Sequence, residues 1–488
     1  MQNISLADFL EYRFLSKLQL SPDGSKAAFV VSRQNKQENN YAADIYLAHC
    51  AAHSIKQLTH TGKEHDFVWD GADTLLFPSC RCKEDEAPRF YQKTVFYRLS
   101  LSGGEAYRAF EVPYDVKEIC PCGDGVHYAM AVRIDHTRPD PRTHTMEECE
   151  DAEDYILLEE MPFATNGEGY TSRVRMTLAL YNAETDETKL LTPPMFMLGA
   201  FRWAGKQLVY TGHSYTTVKA KTKGMYAYSL ATGETRTLVE DGALAIYHIG
   251  EEEGTVLFTA SDLKQYGSAS GQDFYKLSLA GGGCEKLLAH ELVPGTSPIT
   301  DSTYGSGNAF VCAQGAAYYI VLDRFQSHIR SIDAAGVQQE ILGFDGGIQM
   351  LDMRGGATVF VGMQKNSLQE LYVLAGGKAV CISAFNSPLL SARAVQPVHY
   401  TPFQNRAGQQ IDGWVLMPSG YEKGKNTPAF WRYTAARRRP MARCFSMRCR
   451  CWQGAAILCF SAIRAVPTRE ACSLRTCEES TAPLTMKI

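Results

Sequence analysis

The sequence predicts an all-β protein, a seven-bladed β-propeller, on three observations. A strand–turn–strand phrase recurs along most of the 488 residues. It returns at a spacing of roughly 45–60 residues, a period of propeller blades and not of helical solenoids. Its strands alternate aromatic and polar residues, as sheets do when their faces are hidden between neighbours. A large β-sandwich is the competing architecture.

Taken in order, residues 5–18 (SLADFLEYRFLSKL) read as an amphipathic helix. Ser5 is placed to cap it with Asp8 three residues on, and Leu6, Phe9, Leu10, Phe14 and Leu18 share one face that needs a partner. The first copy of the repeat follows the turn Ser21-Pro22-Asp23-Gly24, with strands at Ala27–Val31, Asp44–Leu47 and Ile55–Thr59. Later copies show Thr74–Phe77 with Val95–Leu99, Tyr128–Val132 with Leu178–Tyr181 and Lys189–Thr192, and Gln207–Tyr210 with Met225–Leu230 and Thr237-Leu238. The last three show Val256–Phe258 with Phe274–Leu277, Phe310–Cys312 with Ile329–Ile332, and Thr358–Val361 with Glu370–Leu374. Gly103-Gly104, Gly281–Gly283 and Gly376-Gly377 supply turns. The third copy carries an insertion over about residues 134–172, acidic, then apolar, then glycine-bearing, whose length and charge predict a surface loop of the kind that often carries function.

Composition narrows the classes. The apolar fraction of 45% and charged fraction of 21% are those of a globular domain, and a net charge of −4 favours neither nucleic acid nor an anionic membrane as partner. The N-terminus lacks the pattern of a secretory signal, and no apolar run approaches the roughly 20 residues of a membrane span. Nine scattered cysteines before residue 430 suit reduced thiols and a cytoplasmic location. Cys80-Arg81-Cys82 and Cys120-Pro121-Cys122 lack zinc-site spacing, so no metal is expected.

Several stretches then carry a family signal: LSPDGSKAAFVV with DIYL and QLT, MPFATNGEGY in the insertion, and DGWVLMP with TPA at the exit. Together they resemble the prolyl oligopeptidase family of serine peptidases, above all its acylaminoacyl-peptidase and dipeptidyl-peptidase branches. The resemblance covers about residues 5–429. It implies a propeller capping an α/β-hydrolase domain that begins just after it, peptide substrates, and no cofactor. It also implies that a pair of propeller glutamates holds the substrate amino terminus, for which Glu159 and Glu160 are the candidates. A solvated acidic loop, with Glu147, Glu148, Glu150 and Asp151 nearby, is the plainer reading of the same residues. The expected organisation is a helical segment at 1–18, a propeller at 19–390, the first strands of an incomplete α/β-hydrolase domain at 391–429, and an irregular, disordered tail at 430–488.

The tail differs in texture. Its 59 residues hold six of the fifteen cysteines, ten arginines, one glycine and no aspartate. Where the family pattern requires a strand and then His-Gly-Gly-Pro, this chain has Tyr433-Thr434-Ala435-Ala436. The genetic code permits His-Gly-Gly-Pro there in a shifted frame, and permits RGKYGTIDYED across Cys477–Lys487 in one shifted frame. The expectation is therefore a chain out of its reading frame from near Phe430. A basic, metal-binding tail is the alternative reading of Cys444, Cys449, Cys451 and Cys459. The nucleophile elbow G-x-S-x-G occurs nowhere, and the last histidine is His399, so no catalytic residue can be placed. A stand-alone propeller that binds peptides or a protein partner is the other functional reading. The expected apolar helix face, left without its hydrolase partner, predicts marginal solubility.

Overall fold

The computed structural model describes residues 1–297, 300–406, 408, 410–422 and 424, and the strands at 429–434 and 458–463. Among the described residues, seven four-stranded antiparallel sheets follow one another along the chain between Arg13 and Cys381. Within six of them, strands neighbour each other in chain order; in the third, the insertion separates the second strand, His127–Asp135, from the third, Val174–Asn182.

Each sheet buries both faces against its neighbours. Ala28, Ile45, Leu75 and Phe77 join sheet 1 to sheet 2. Leu76, Phe96, Tyr128 and Ala179 join sheet 2 to sheet 3, and Leu178, Phe201 and Tyr210 join sheet 3 to sheet 4. The series continues through Met225 and Phe258, Phe274 and Tyr319, and Ile320 and Phe360. It then returns to the start, where Leu15, Leu18 and Phe29 of sheet 1 pack on Val359, Val361 and Leu371 of sheet 7. A closed ring of face-to-face sheets is a β-propeller.

The seam that closes this ring has no strand pairing between sheets 7 and 1 among the described residues. Side chains take the place of a ladder. The Arg13 N–H donates to Asn386 Oδ1 at 2.8 Å, and Asn386 Nδ2 donates back to the Arg13 and Gln369 carbonyls at 2.9 and 2.8 Å. Leu15 N–H donates to Gln369 Oε1 at 3.1 Å and Leu20 N–H to the buried Asp352 carboxylate at 2.6 Å. The Glu370 carboxylate accepts the N–H groups of Phe385 and Asn386, at 3.0 and 2.8 Å, which fixes the loop that presents Asn386. At the opposite end two turns interlock: Gly24 (φ +74°) and Gly355 (φ +55°) leave no room for a Cβ, which would lie 2.3 Å from the Arg354 and Asp23 carbonyl oxygens respectively.

The N-terminal segment departs from expectation. Only Leu6–Glu11 is helical, as a 3-10 turn, and a strand begins at Arg13. The Ser5–Asp8 box does form: the Ser5 N–H donates to Asp8 Oδ2 at 2.9 Å. The chain turns extended after it because pairing of Arg13–Leu20 with Lys26–Asn35 and the seam contacts together outweigh one more turn of helix. Phe14 and Leu18 are therefore interior residues of the ring, and Tyr12 and Phe14 pack with Ile4, Met363 and Leu368, so most of the expected orphan face is covered; Leu6 and Leu10 remain exposed. Asp8 pairs with Arg393 at 2.8 Å, so the segment is pinned to the chain leaving sheet 7.

Past the ring, Val398–Tyr400 and Gln410–Leu416 pair antiparallel and open a further sheet. Two strands from the stretch expected to be irregular complete it: Leu458–Ile463 lies antiparallel to Gln410–Leu416, and Ala429–Thr434 lies parallel to Leu458–Ile463. An apolar run such as LCFSAI meets an open strand edge here and pairs with it, so the expectation of disorder fails for those residues. The rest of 430–488, including Cys444, Cys449 and Cys451, lies outside the described residues.

Candidate functional site

In every sheet of the ring the second strand runs toward one end and the third returns from it, so the loops between them share that end. The hairpin after Ala316–Asp323 belongs to this set, and it carries the exit sheet: Arg324 pairs with Asp412 and Phe325 packs edge-on against Trp414 at 5.5 Å between ring centres. The insertion of sheet 3 belongs to the same set. Glu159 and Glu160 and the start of the exit sheet thus lie at one end of the ring.

The insertion is more structured than a solvated loop. Thr145 caps a short helix, Met146–Asp151, accepting from the Glu148 N–H at 3.2 Å and donating its own N–H to the Glu148 carboxylate at 2.7 Å. Arg89 clamps Glu150 and Glu153, each at 2.9 Å. Beyond it, Met161 is tied to sheet 4's loop: its N–H donates to the Thr217 carbonyl at 2.7 Å and its carbonyl accepts from Lys219 at 2.9 Å. Between these anchors Tyr155, Ile156, Leu157, Leu158, Met161 and Phe163 are all exposed.

The two candidate glutamates take different places. Glu159 keeps a carboxylate 43% exposed and pairs with Arg173 at 2.7 Å. Glu160 is buried and grips the fully buried Arg175 with both oxygens, one bond being 3.0 Å, and it accepts the Arg173 N–H at 2.8 Å. Burial pushes the Glu160 carboxyl up, but the Arg175 hydrogen bonds and the Arg173 N–H outweigh it and hold its pKa below the usual carboxylate range. Arg175 also donates to the Met195 and Tyr215 carbonyls, at 3.2 and 2.8 Å, and stacks over the Tyr215 ring at 3.8 Å. The reading of these residues as a plain solvated loop is therefore wrong for Glu160. Arg175 was missed in the sequence; an arginine at an inward position of an otherwise apolar strand is the signal that announces a buried carboxylate partner.

Further bases at this end are buried or half-buried. His136 and His213 have pKa values lowered by burial, and burial and the neighbouring Lys223 bring His248 down to about 4. Lys223 itself is lowered by burial.

The fold and this loop arrangement define the class: a β-propeller with a further sheet at its loop-bearing end. No family model matches the chain. In sequence it is 28% identical over 201 residues to an uncharacterized peptidase, YuxL, of Bacillus subtilis (strain 168), a match spanning 40% of this chain and 29% of that protein. In structure it is similar to the acylaminoacyl peptidase of Pyrococcus horikoshii, with a TM-score of 0.73 at 14% identity, over 93% of this chain and 65% of that one. It is also similar to the β-propeller domain of the Trilobed protease from Pyrococcus furiosus, of open velcro topology, with a TM-score of 0.54 at 12% identity, over 78% of this chain and 99% of that domain. These likenesses support the resemblance to prolyl oligopeptidase-family serine peptidases. This chain spans 65% of the length of the Pyrococcus horikoshii peptidase, less than two thirds.

Proposed function

We propose that this chain is the propeller part of a serine-type oligopeptidase, its seven sheets being seven blades that gate peptide access to a hydrolase domain at their loop-bearing end. The observation that carries this reading is the common placement of the exit sheet and the Glu159–Glu160 insertion at one end of the ring. The exposed apolar side chains from Tyr155 to Phe163 suit that end to a further domain surface. No membrane span supports a different setting; no helix among the described residues is long and apolar enough to cross a membrane. The reading includes a cytoplasmic location.

The chain as it stands is inactive in this proposal. Its sequence supplies no nucleophile elbow and no histidine after His399, and the loss of reading frame near codon 430 accounts for both. Two tests address this. The purified chain is expected to show no inhibitor-sensitive hydrolysis of aminoacyl or acylpeptide chromogenic substrates, and turnover above background overturns inactivity. Sequencing of the gene is expected to show a peptidase message with His-Gly-Gly-Pro and a G-x-S-x-G elbow in the shifted frame after codon 429; stop codons there overturn the frame reading.

Glu159 is the substrate-facing carboxylate in this proposal, with Glu160 positioning the loop through Arg175. In a frame-restored enzyme, Glu159→Gln is expected to raise KM for free-amino peptides roughly tenfold, since a hydrogen bond to a charged group contributes about 1.5–3 kcal/mol. KM for N-acylated peptides should stay unchanged. Equal effects on both substrate types would remove Glu159 from this role.

A further inference from the structure

Lys223 stands just before the strand Gly224–Ser229 of sheet 4, and its backbone N–H is fixed by the Leu244 carbonyl at 2.9 Å. Its side chain crosses the sheet toward the innermost strand, Phe196–Ala204. A Cβ on Gly199 of that strand would lie 3.3 Å from the Lys223 amine and 2.5 Å from Thr211 Oγ1. A glycine there keeps the space around the amine open. Among the described residues no carboxylate pairs with this amine, and the one charge that acts on it is another cation, Lys219. One strand away, His213 is 1% exposed, and neither of its ring nitrogens has a hydrogen-bond partner. Its ring packs against Tyr215 at 5.4 Å, the same tyrosine on which Arg175 stacks. His248 of sheet 5 feels the Lys223 charge, with Nδ1 held by Thr259 Oγ1 at 3.0 Å. Asp241 is the one carboxylate felt at His213, and it makes no contact with Lys223.

A buried imidazole with neither nitrogen paired is costly unless something compensates it, and the half-buried Lys223 ammonium beside it has no carboxylate of its own among the described residues. Here the groups are all cationic or hydrogen-bond donors in one protonation state, and the partner that would satisfy them together is an anion. We propose that Lys223 and His213 form a binding site for the carboxylate of a bound peptide, at its C-terminus or on an acidic side chain. The site lies in the sheet next to the Glu159–Glu160 loop, so a short peptide would meet a carboxylate partner and an ammonium partner at the same end of the ring. A bidentate carboxylate suits this set because it accepts from an amine and a ring N–H at once. The inference rests on the peptide-handling reading of the propeller.

The test is calorimetric titration of the whole chain with N-acetyl-trialanine, with its C-terminal amide, and with acetate. The free acid is expected to bind at least roughly tenfold more tightly than the amide, a ratio that one charge-assisted contact supplies. Lys223→Met should erase that ratio and leave the amide's affinity unchanged, while Lys223→Arg should retain most of it; thermal melts matching the parent would show both variants folded. Acid and amide binding equally well to the parent, or a ratio that survives Lys223→Met, overturns the site while leaving the peptide reading standing. Acetate heat that vanishes in Lys223→Met, with no binding of either peptide, supports the anion site and removes the peptide reading. No heat with any of the three overturns the site.

Discussion

Arg175→Ala is expected to destabilise the ring by about 3–5 kcal/mol, because it strands the Glu160 carboxylate in the interior without its partner. The same change frees the Met195 and Tyr215 carbonyls and unloads the Tyr215 ring, so the insertion should loosen along with sheet 3. Replacing both partners by apolar residues, Glu160→Leu with Arg175→Met, should recover most of the loss, since the desolvation cost of two charges goes with them. The pH dependence has a definite sign. The parent's folded-state pKa for Glu160 lies below the unfolded value of about 4.3, so the pair stabilises above that pH and the contribution is lost as pH falls through the folded value. In Arg175→Ala burial is opposed only by the Arg173 N–H and charge, so the folded pKa rises and the stabilisation gained as pH rises should shrink or reverse. Chemical denaturation of parent and variant at pH 7 and pH 4 checks this: the gap between them should narrow at pH 4, and a gap of constant size would show that Glu160 does not feel Arg175.

The second large effect belongs to the seam. Asn386→Ala removes an acceptor for the Arg13 N–H and a donor to two carbonyls at the junction of sheets 7 and 1. Buried polar groups left unpaired cost about 1–3 kcal/mol each, so a loss of about 2–4 kcal/mol is expected. Hydrogen exchange locates it: amides of Arg13–Leu20 should exchange faster, while those of sheets 3 to 5 stay as slow as in the parent. Uniform acceleration across the ring would mean that the seam is no weaker than the other interfaces.

Much of this architecture could be read before the structure, and what escaped has physical causes. The second and third strands of most sheets, such as Tyr128–Val132 and Leu178–Tyr181, sit within observed strands because they pair regularly and read as short apolar runs. Apart from Phe310–Ala313 of sheet 6, the innermost strands went unread. Those of sheets 1, 4, 5 and 7 each break register, between Ser16 and Gln19, Leu198 and Phe201, Ile246 and His248, and Ile348 and Met350. A bulge puts two residues against one, which destroys the two-residue alternation that marks a strand in a sequence. Ala316–Asp323, AAYYIVLD, was also missed, although it is buried on both faces like the strands that were read. At the candidate site, the glutamates were visible as a motif, but Glu160's partner lies fifteen residues away across the insertion, and only the closed loop reveals that one glutamate is committed to structure.

The fastening of the ring has a mechanical consequence. The chain enters at Arg13 and leaves past Asn386, two points held together by the same asparagine. Tension applied between the chain's two ends therefore first releases the Asp8–Arg393 pair and then loads that clasp, before the six sequential interfaces. Pulled in this way, the molecule should yield in a stepwise peel that starts at sheets 1 and 7, with a first rupture force set by a few side-chain contacts and later ones set by whole strand pairs.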